Sequence, residues 1–123
     1  MTIEIIRGEF TVCQLKKGTQ IDINRPFTFV SRTDEELSLV CPTENVPKGT
    51  LRREDGWRMM RIAGKLEFSE VGILARLSAL MASASIPIFA VSTYNTDYIL
   101  LKDEHFDRAV RMLSEHWYDI KML

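Results

Sequence analysis

The sequence is short of almost everything that marks a specialised surface, beginning with charge of one sign. Among its 123 residues, 16 Lys and Arg stand against 17 Asp and Glu, leaving a formal net charge of −1. Nucleic acids and anionic bilayers are held by basic fields, and pairs such as Lys16-Lys17 and Arg52-Arg53 are too short to make one. Neither nucleic acid nor membrane is therefore an expected partner. No hydrophobic run approaches the length of a membrane span, and Glu4 interrupts the apolar start of the chain where a secretory signal would need its hydrophobic core. Cysteine is limited to Cys13 and Cys41, without a Cys-x-x-Cys pair, which excludes a disulfide scaffold and predicts two buried, reduced thiols in a cytoplasmic setting.

Catalytic groupings are equally scarce. The two histidines, His105 and His116, lie eleven positions apart, off the i, i+4 spacing by which a helix presents two metal ligands. The six glycines are scattered singly, so no loop of consecutive backbone N–H groups is available to cradle a phosphate. No Ser-His-Asp or Cys-His order has supporting context. The sequence thus predicts no catalytic residue, no metal and no cofactor.

What is present is the composition of a folded domain, 46% hydrophobic and 27% charged. Trp57 to Ile62 has the length of a strand, closed by Ala63-Gly64. Ser69 stands where an N-cap belongs, ahead of Ile73, Leu74, Leu77, Leu80, Met81 and Ala84, whose spacing predicts a helix with one buried face. After Pro87, Ile88 to Thr93 and Tyr98 to Leu101 read as a hairpin turned by Tyr94-Asn95-Thr96. Asp103 is placed to cap a second helix with Phe106, Ala109, Val110 and Leu113 on its stripe, and Trp117 to Leu123 alternates as a closing strand. Residues 57–123 are expected to form a complete βαββαβ unit, an α+β, ferredoxin-like sandwich of sheet and two helices.

The first half lacks such helices. Phe10 to Leu15, Phe27 to Ser31 and Leu37 to Cys41 read as strands, Lys16 to Pro26 as a loop, and Pro42, Pro47, Gly49 and Gly56 punctuate the approach to Trp57. An offset of 61 sets Val30 and Ser31 on Val91 and Ser92, and Leu39 on Leu100. Residues 1–50 are accordingly expected to be a reduced, mostly β copy of the later unit, packed with it into one globule; chance likeness between two hairpins is the competing explanation.

The run Leu66-Glu67-Phe68-Ser69-Glu70-Val71-Gly72-Ile73-Leu74, followed by Ile86-Pro87-Ile88-Phe89-Ala90-Val91-Ser92-Thr93-Tyr94-Asn95-Thr96-Asp97-Tyr98-Ile99-Leu100, resembles the ACT-domain family. It is similar to short bacterial proteins built of tandem ACT-like halves, and to the ACT units of aspartokinase regulatory domains and of cytosolic arginine sensors. The resemblance implies an ACT fold, a homodimer, and a regulatory or sensor role with a small molecule, an amino acid above all, held at an interface. An interaction module that binds no metabolite is the alternative.

Two segments carry the expected ligand site, Ser69, Glu70, Val71, Gly72 and Ile73 at the helix start of one unit and Ser92, Thr93, Tyr94, Asn95, Thr96 and Asp97 at the hairpin turn of a partner or of the other half. A glycine in a first helical turn costs about 1 kcal/mol relative to alanine, so Gly72 admits either a ligand carboxylate beside the helix N-terminus or a closely packed neighbouring backbone. The hydroxyls of Ser92, Thr93 and Thr96, the Asn95 amide and the Asp97 carboxylate can meet an ammonium group, or satisfy the turn itself. The resemblance places an acid that touches the bound amino acid at Asp97. Glu70 beside Gly72 departs from an anion site: pointing inward it favours a cationic ligand, pointing outward it only stabilises the helix dipole.

Overall fold

The computed structural model describes residues 1–67 and 71–123. The chain forms β1 (Thr2–Leu15), β2 (Phe29–Arg32), β3 (Leu37–Pro42), β4 (Arg52–Ile62), α1 (Ile73–Ser83), β5 (Phe89–Ser92), β6 (Asp97–Lys102), α2 (Phe106–Glu115) and β7 (Asp119–Met122), with single 3-10 turns at Thr43–Asn45 and Asp103–His105. Two compact units divide it: Met1–Arg7 with Arg58–Leu123, and Gly8–Trp57. The first seven residues, expected with the N-terminal half, thus belong to the unit that holds the helices.

In that unit the strand order is β7-β1-β4-β6-β5. The closing strand does not lie directly beside β4. It runs parallel to the start of the chain, Thr2 facing Asp119 and Ile5 facing Met122. The core explains the arrangement: Ile3 and Ile5 are fully buried and join Met60, Ile62, Ile99 and Leu101 against Ile73, Leu77 and Met81 of α1 and Phe106, Ala109 and Leu113 of α2. Leu74, Leu80, Ala84 and Val110 pack at its margin, so both helical stripes face inward as their spacing predicts. Glu4, which points away from these isoleucines by strand alternation, is held by Arg61 Nε at 2.8 Å. The arrangement is a mixed α/β sheet with two helices, in keeping with the ferredoxin-like class.

The helix starts differ from expectation. Gly72 is the N-cap of α1, with φ 85°, and no described side chain caps the helix; Ser69 lies outside the described residues. Asp103 does not cap α2. It opens the 3-10 turn, and its carboxylate is drawn instead to Arg58 Nη1 at 3.1 Å.

The other unit has the order β2-β3-β1-β4. β4 begins at Arg52, not Trp57, because Gly56 takes φ 82° and lets the strand continue through a position that reads as a break. Cys13 and Cys41 are buried among Leu15, Leu37 and Leu39, and burial pushes both thiols up, Cys41 to about 11. Thr11, fully buried, donates to Asp55 Oδ1 at 2.6 Å and lies 2.9 Å from the Thr43 hydroxyl.

The two units share a hairpin pattern, at an offset of 60 rather than 61. Phe29 faces Val40 as Phe89 faces Leu100, and Arg32 faces Leu37 as Ser92 faces Asp97. Each turn closes with a threonine N–H on the carbonyl three residues on, Thr33 on Glu36 at 2.9 Å and Thr93 on Thr96 at 2.8 Å. Each second strand runs into a 3-10 turn. Offset 60 sets buried Leu39, Val40 and Cys41 on buried Ile99, Leu100 and Leu101. A slip of one would exchange the faces of the sheet.

Candidate functional site

The turn after β5 is built by its own side chains. Thr93 Oγ1 donates to the Thr96 carbonyl at 3.0 Å and accepts from the Thr96 N–H at 3.4 Å. Thr96 is itself buried, and its Oγ1 donates to the Ile62 carbonyl at 2.7 Å, tying the turn to the end of β4. The Asn95 carbonyl accepts from the Leu66 N–H at 2.7 Å, which brings the segment before α1 onto the turn. The first turn of α1 closes the other side. Its first hydrogen bond runs from the Arg76 N–H to the Gly72 carbonyl at 2.9 Å, so the N–H groups of Ile73, Leu74 and Ala75 precede the helical ladder.

Between them lies a cleft of about 320 Å³, lined on one side by Gly72, Ile73, Leu74 and Ala75, on the other by Ser92 to Asp97, and at its end by Leu66 and Glu67. Eight of the expected residues therefore meet there, and both segments come from one unit rather than from two. Val71 does not line the cleft and is 87% exposed; Ser69 and Glu70 lie outside the described residues. The Thr93 hydroxyl serves the turn, and the Thr96 hydroxyl ties it to β4. What the turn leaves unused toward the cleft is narrower. Asp97 keeps Oδ1 on the Ser92 hydroxyl at 2.5 Å, and its Oδ2 and the Asn95 carboxamide have no partner among the described residues. Tyr94, 78% exposed, stands at the rim.

Gly72 owes its identity to backbone, not to close packing. Among the described residues, a Cβ built there meets the tip of Arg76, Nη1 at 3.2 Å, and no atom of the sheet. With φ at 85° the position is one that side-chain-bearing residues rarely adopt.

Sequence reasoning missed Glu67, Leu66, Leu74 and Ala75. The last two follow once the helix start moves from Ser69 to Gly72, for a first turn then spans them. Glu67 had no such signal, since the Leu66–Asn95 hydrogen bond that brings its segment to the cleft is a tertiary contact. Two carboxylates, Glu67 and Asp97, thus line the cleft, and among the described residues no Lys or Arg takes part in its lining. Among the described residues no group of three or more His, Cys, Asp or Glu is disposed to hold a metal, and no helix is long and apolar enough to cross a membrane.

A β-α-β-β-α-β order around a polar cleft between a helix N-terminus and a hairpin turn defines an α+β domain of the ferredoxin-like class. Within it the chain belongs to the ACT-domain family, whose model matches residues 52–115. A second family model, describing an N-terminal domain, matches residues 8–49. The human cytosolic arginine sensor for mTORC1 subunit 1 is 36% identical over 59 residues, covering 47% of this chain and 18% of that protein. The chain therefore aligns with less than a fifth of that relative. A crystal structure from Agrobacterium tumefaciens superposes with a TM-score of 0.87 at 25% identity, over 99% of this chain and 92% of that one. The Clostridium acetobutylicum aspartate kinase shares the fold, with a TM-score of 0.64 at 12% identity over 86% of this chain and 32% of the enzyme.

Proposed function

We propose that this protein is a non-catalytic regulatory module that senses a small metabolite, an amino acid with a cationic side chain. The observation that carries the proposal is the Asp97 carboxylate in the lining of the cleft, where among the described residues Glu67 adds a second acid and no Lys or Arg takes part. Such a site favours a ligand bearing more positive than negative charge. The ligand's carboxylate meets the N–H groups at the start of α1, while the ammonium and side-chain cation meet Asp97, Asn95 and Glu67. The cytosolic arginine sensors among its relatives agree with this chemistry by their name.

Val71 and Tyr94, both largely exposed beside the cleft, favour a second protein surface closing over it, and a homodimer supplies one. In the same proposal residues 8–57 are a reduced ACT-like copy that kept the hairpin and lost the helices, a view supported by the repeat at offset 60 and by the separate N-terminal family match.

Isothermal titration against the common amino acids tests the proposal. Arginine or lysine is expected to bind and to raise the melting temperature, and Asp97→Asn to weaken that binding by about tenfold or more. If no amino acid binds, or if acidic ones bind as well as basic ones, the proposal fails. If metabolites are silent while a protein partner is retained regardless of Asp97, the interaction-module alternative stands in its place.

A further inference from the structure

Apart from the cleft, a larger concavity of about 520 Å³ opens between α1 and the segment that follows α2. Ala79, Leu80, Trp117 and Tyr118 give it an apolar wall, and Arg76 and His116 supply polar groups. Its size is that of small-molecule sites, about 300–1,000 Å³.

Trp117 is the residue that local structure leaves unexplained. α2 ends in a left-handed cap, with the Tyr118 N–H on the Leu113 carbonyl at 3.1 Å, the Trp117 N–H on the Ser114 carbonyl at 3.3 Å, and Trp117 itself at φ 72°. That position favours glycine. α1 ends in the same way, the Ile86 N–H on the Met81 carbonyl at 2.9 Å, with the small Ser85 at φ 57°. Trp117 is 89% exposed, so burial does not account for the indole either. A bulky aromatic held in a conformation it disfavours, at the mouth of an apolar concavity, points to something that covers it.

The polar groups say what that is. Among the described residues Arg76 makes no hydrogen bond or ion pair and no Asp or Glu lines the concavity, in contrast to the acidic cleft. His116 is fixed by donation from Nδ1 to the Met112 carbonyl at 2.8 Å. We infer that the concavity is a second binding site, for a small aryl carboxylate that carries no ammonium group. The carboxylate pairs with the Arg76 guanidinium, and the aryl ring lies between the Trp117 indole and the apolar side of α1 at Ala79 and Leu80. The absence of an acid leaves an amine without a partner, so free amino acids are disfavoured here.

The test uses hydrocinnamate, with hydrocinnamyl alcohol as its neutral match, followed by the indole N–H resonances of the full chain. Of the two tryptophans, Trp57 and Trp117, the second is assigned by its loss in Trp117→Gly. Hydrocinnamate is expected to shift the Trp117 resonance with a Kd of about 1 mM, fitting for so small a ligand. The alcohol binds about tenfold more weakly, and Arg76→Gln brings the acid to the alcohol's level. Trp117→Gly places a glycine where the cap favours one, so the chain stays folded and calorimetry then shows the probe's binding lost. Asp97→Asn leaves this binding unchanged. The inference is overturned by no shift at about 10 mM probe, by equal affinity for acid and alcohol, or by a loss in Asp97→Asn that would put the probe in the cleft. It is also overturned if protein concentration alone moves the Trp117 resonance, which would give the concavity to a second copy of the chain.

Discussion

Gly72→Ala isolates the physical reason for the most informative glycine in the chain. Two opposed effects are expected. Alanine lowers the conformational entropy of the unfolded chain, which by itself stabilises by about 0.4–1 kcal/mol. Against it stands the left-handed backbone, φ 85° at this N-cap, where a Cβ costs about 1–2 kcal/mol. The new methyl also meets Arg76 Nη1 at 3.2 Å, but that is the flexible end of a side chain free to move aside. The net expectation is a loss of about 1 kcal/mol, seen as a melting temperature lower by about 5 °C. Urea unfolding followed by circular dichroism measures it at constant m-value. Gly72→Asn, whose side chain tolerates the left-handed region, is expected to cost less than alanine. An alanine variant as stable as the parent refutes the backbone argument, and an asparagine variant as damaged as the alanine one replaces it with a role in packing.

Leu77→Ala, at a fully buried position of α1, should cost about 3 kcal/mol by opening a cavity between helix and sheet, read from the same unfolding curves. Thr96→Val keeps the shape of the turn residue but strips the donor from the buried Ile62 carbonyl; a loss of about 1–2 kcal/mol is expected, with Thr96→Ser close to the parent. Cys41 has its pKa raised from 9.0 to about 11 by burial. The folded state thus holds the proton more tightly than the unfolded one. Its contribution is complete below pH 9 and is lost as pH rises from there towards 11, by about 2 kcal/mol. Cys13 shifts in the same direction. Comparing the parent with Cys41→Val across that range isolates the effect, and an identical pH dependence in both would contradict it.

The parts of the fold that local spacing governs were legible in the residues. The inward stripes of α1 and α2, the hairpin of β5 and β6, and the burial of both cysteines follow from periodicity and residue type, because a helix or strand repeats its faces at a fixed interval. The resemblance of residues 66–100 to the ACT family led to the same unit, and the turn it singled out does face the first turn of α1 across one cleft. Where single residues end an element, the reading was weaker. Ser69 and Asp103 have the chemistry of caps, yet the cap of α1 is a left-handed glycine and the carboxylate of Asp103 goes to Arg58. The first rests on the left-handed backbone of Gly72 itself, the second on a group distant in sequence.

Sequence alone therefore determined the elements, their buried faces and the class of the domain, since each rests on interactions within a few residues of chain. Tertiary structure alone decided that Thr2–Ile5 pairs with the closing strand, because long-range pairing leaves no local periodicity to read. It decided the register of the repeated hairpin, where one residue exchanges the two faces of a sheet. It also decided the charge of the site. A single backbone bond, the Leu66 N–H on the Asn95 carbonyl, carries the segment bearing Glu67 to the cleft that holds Asp97. Thirty positions of sequence separate those two carboxylates, and only folding makes them one electrostatic feature.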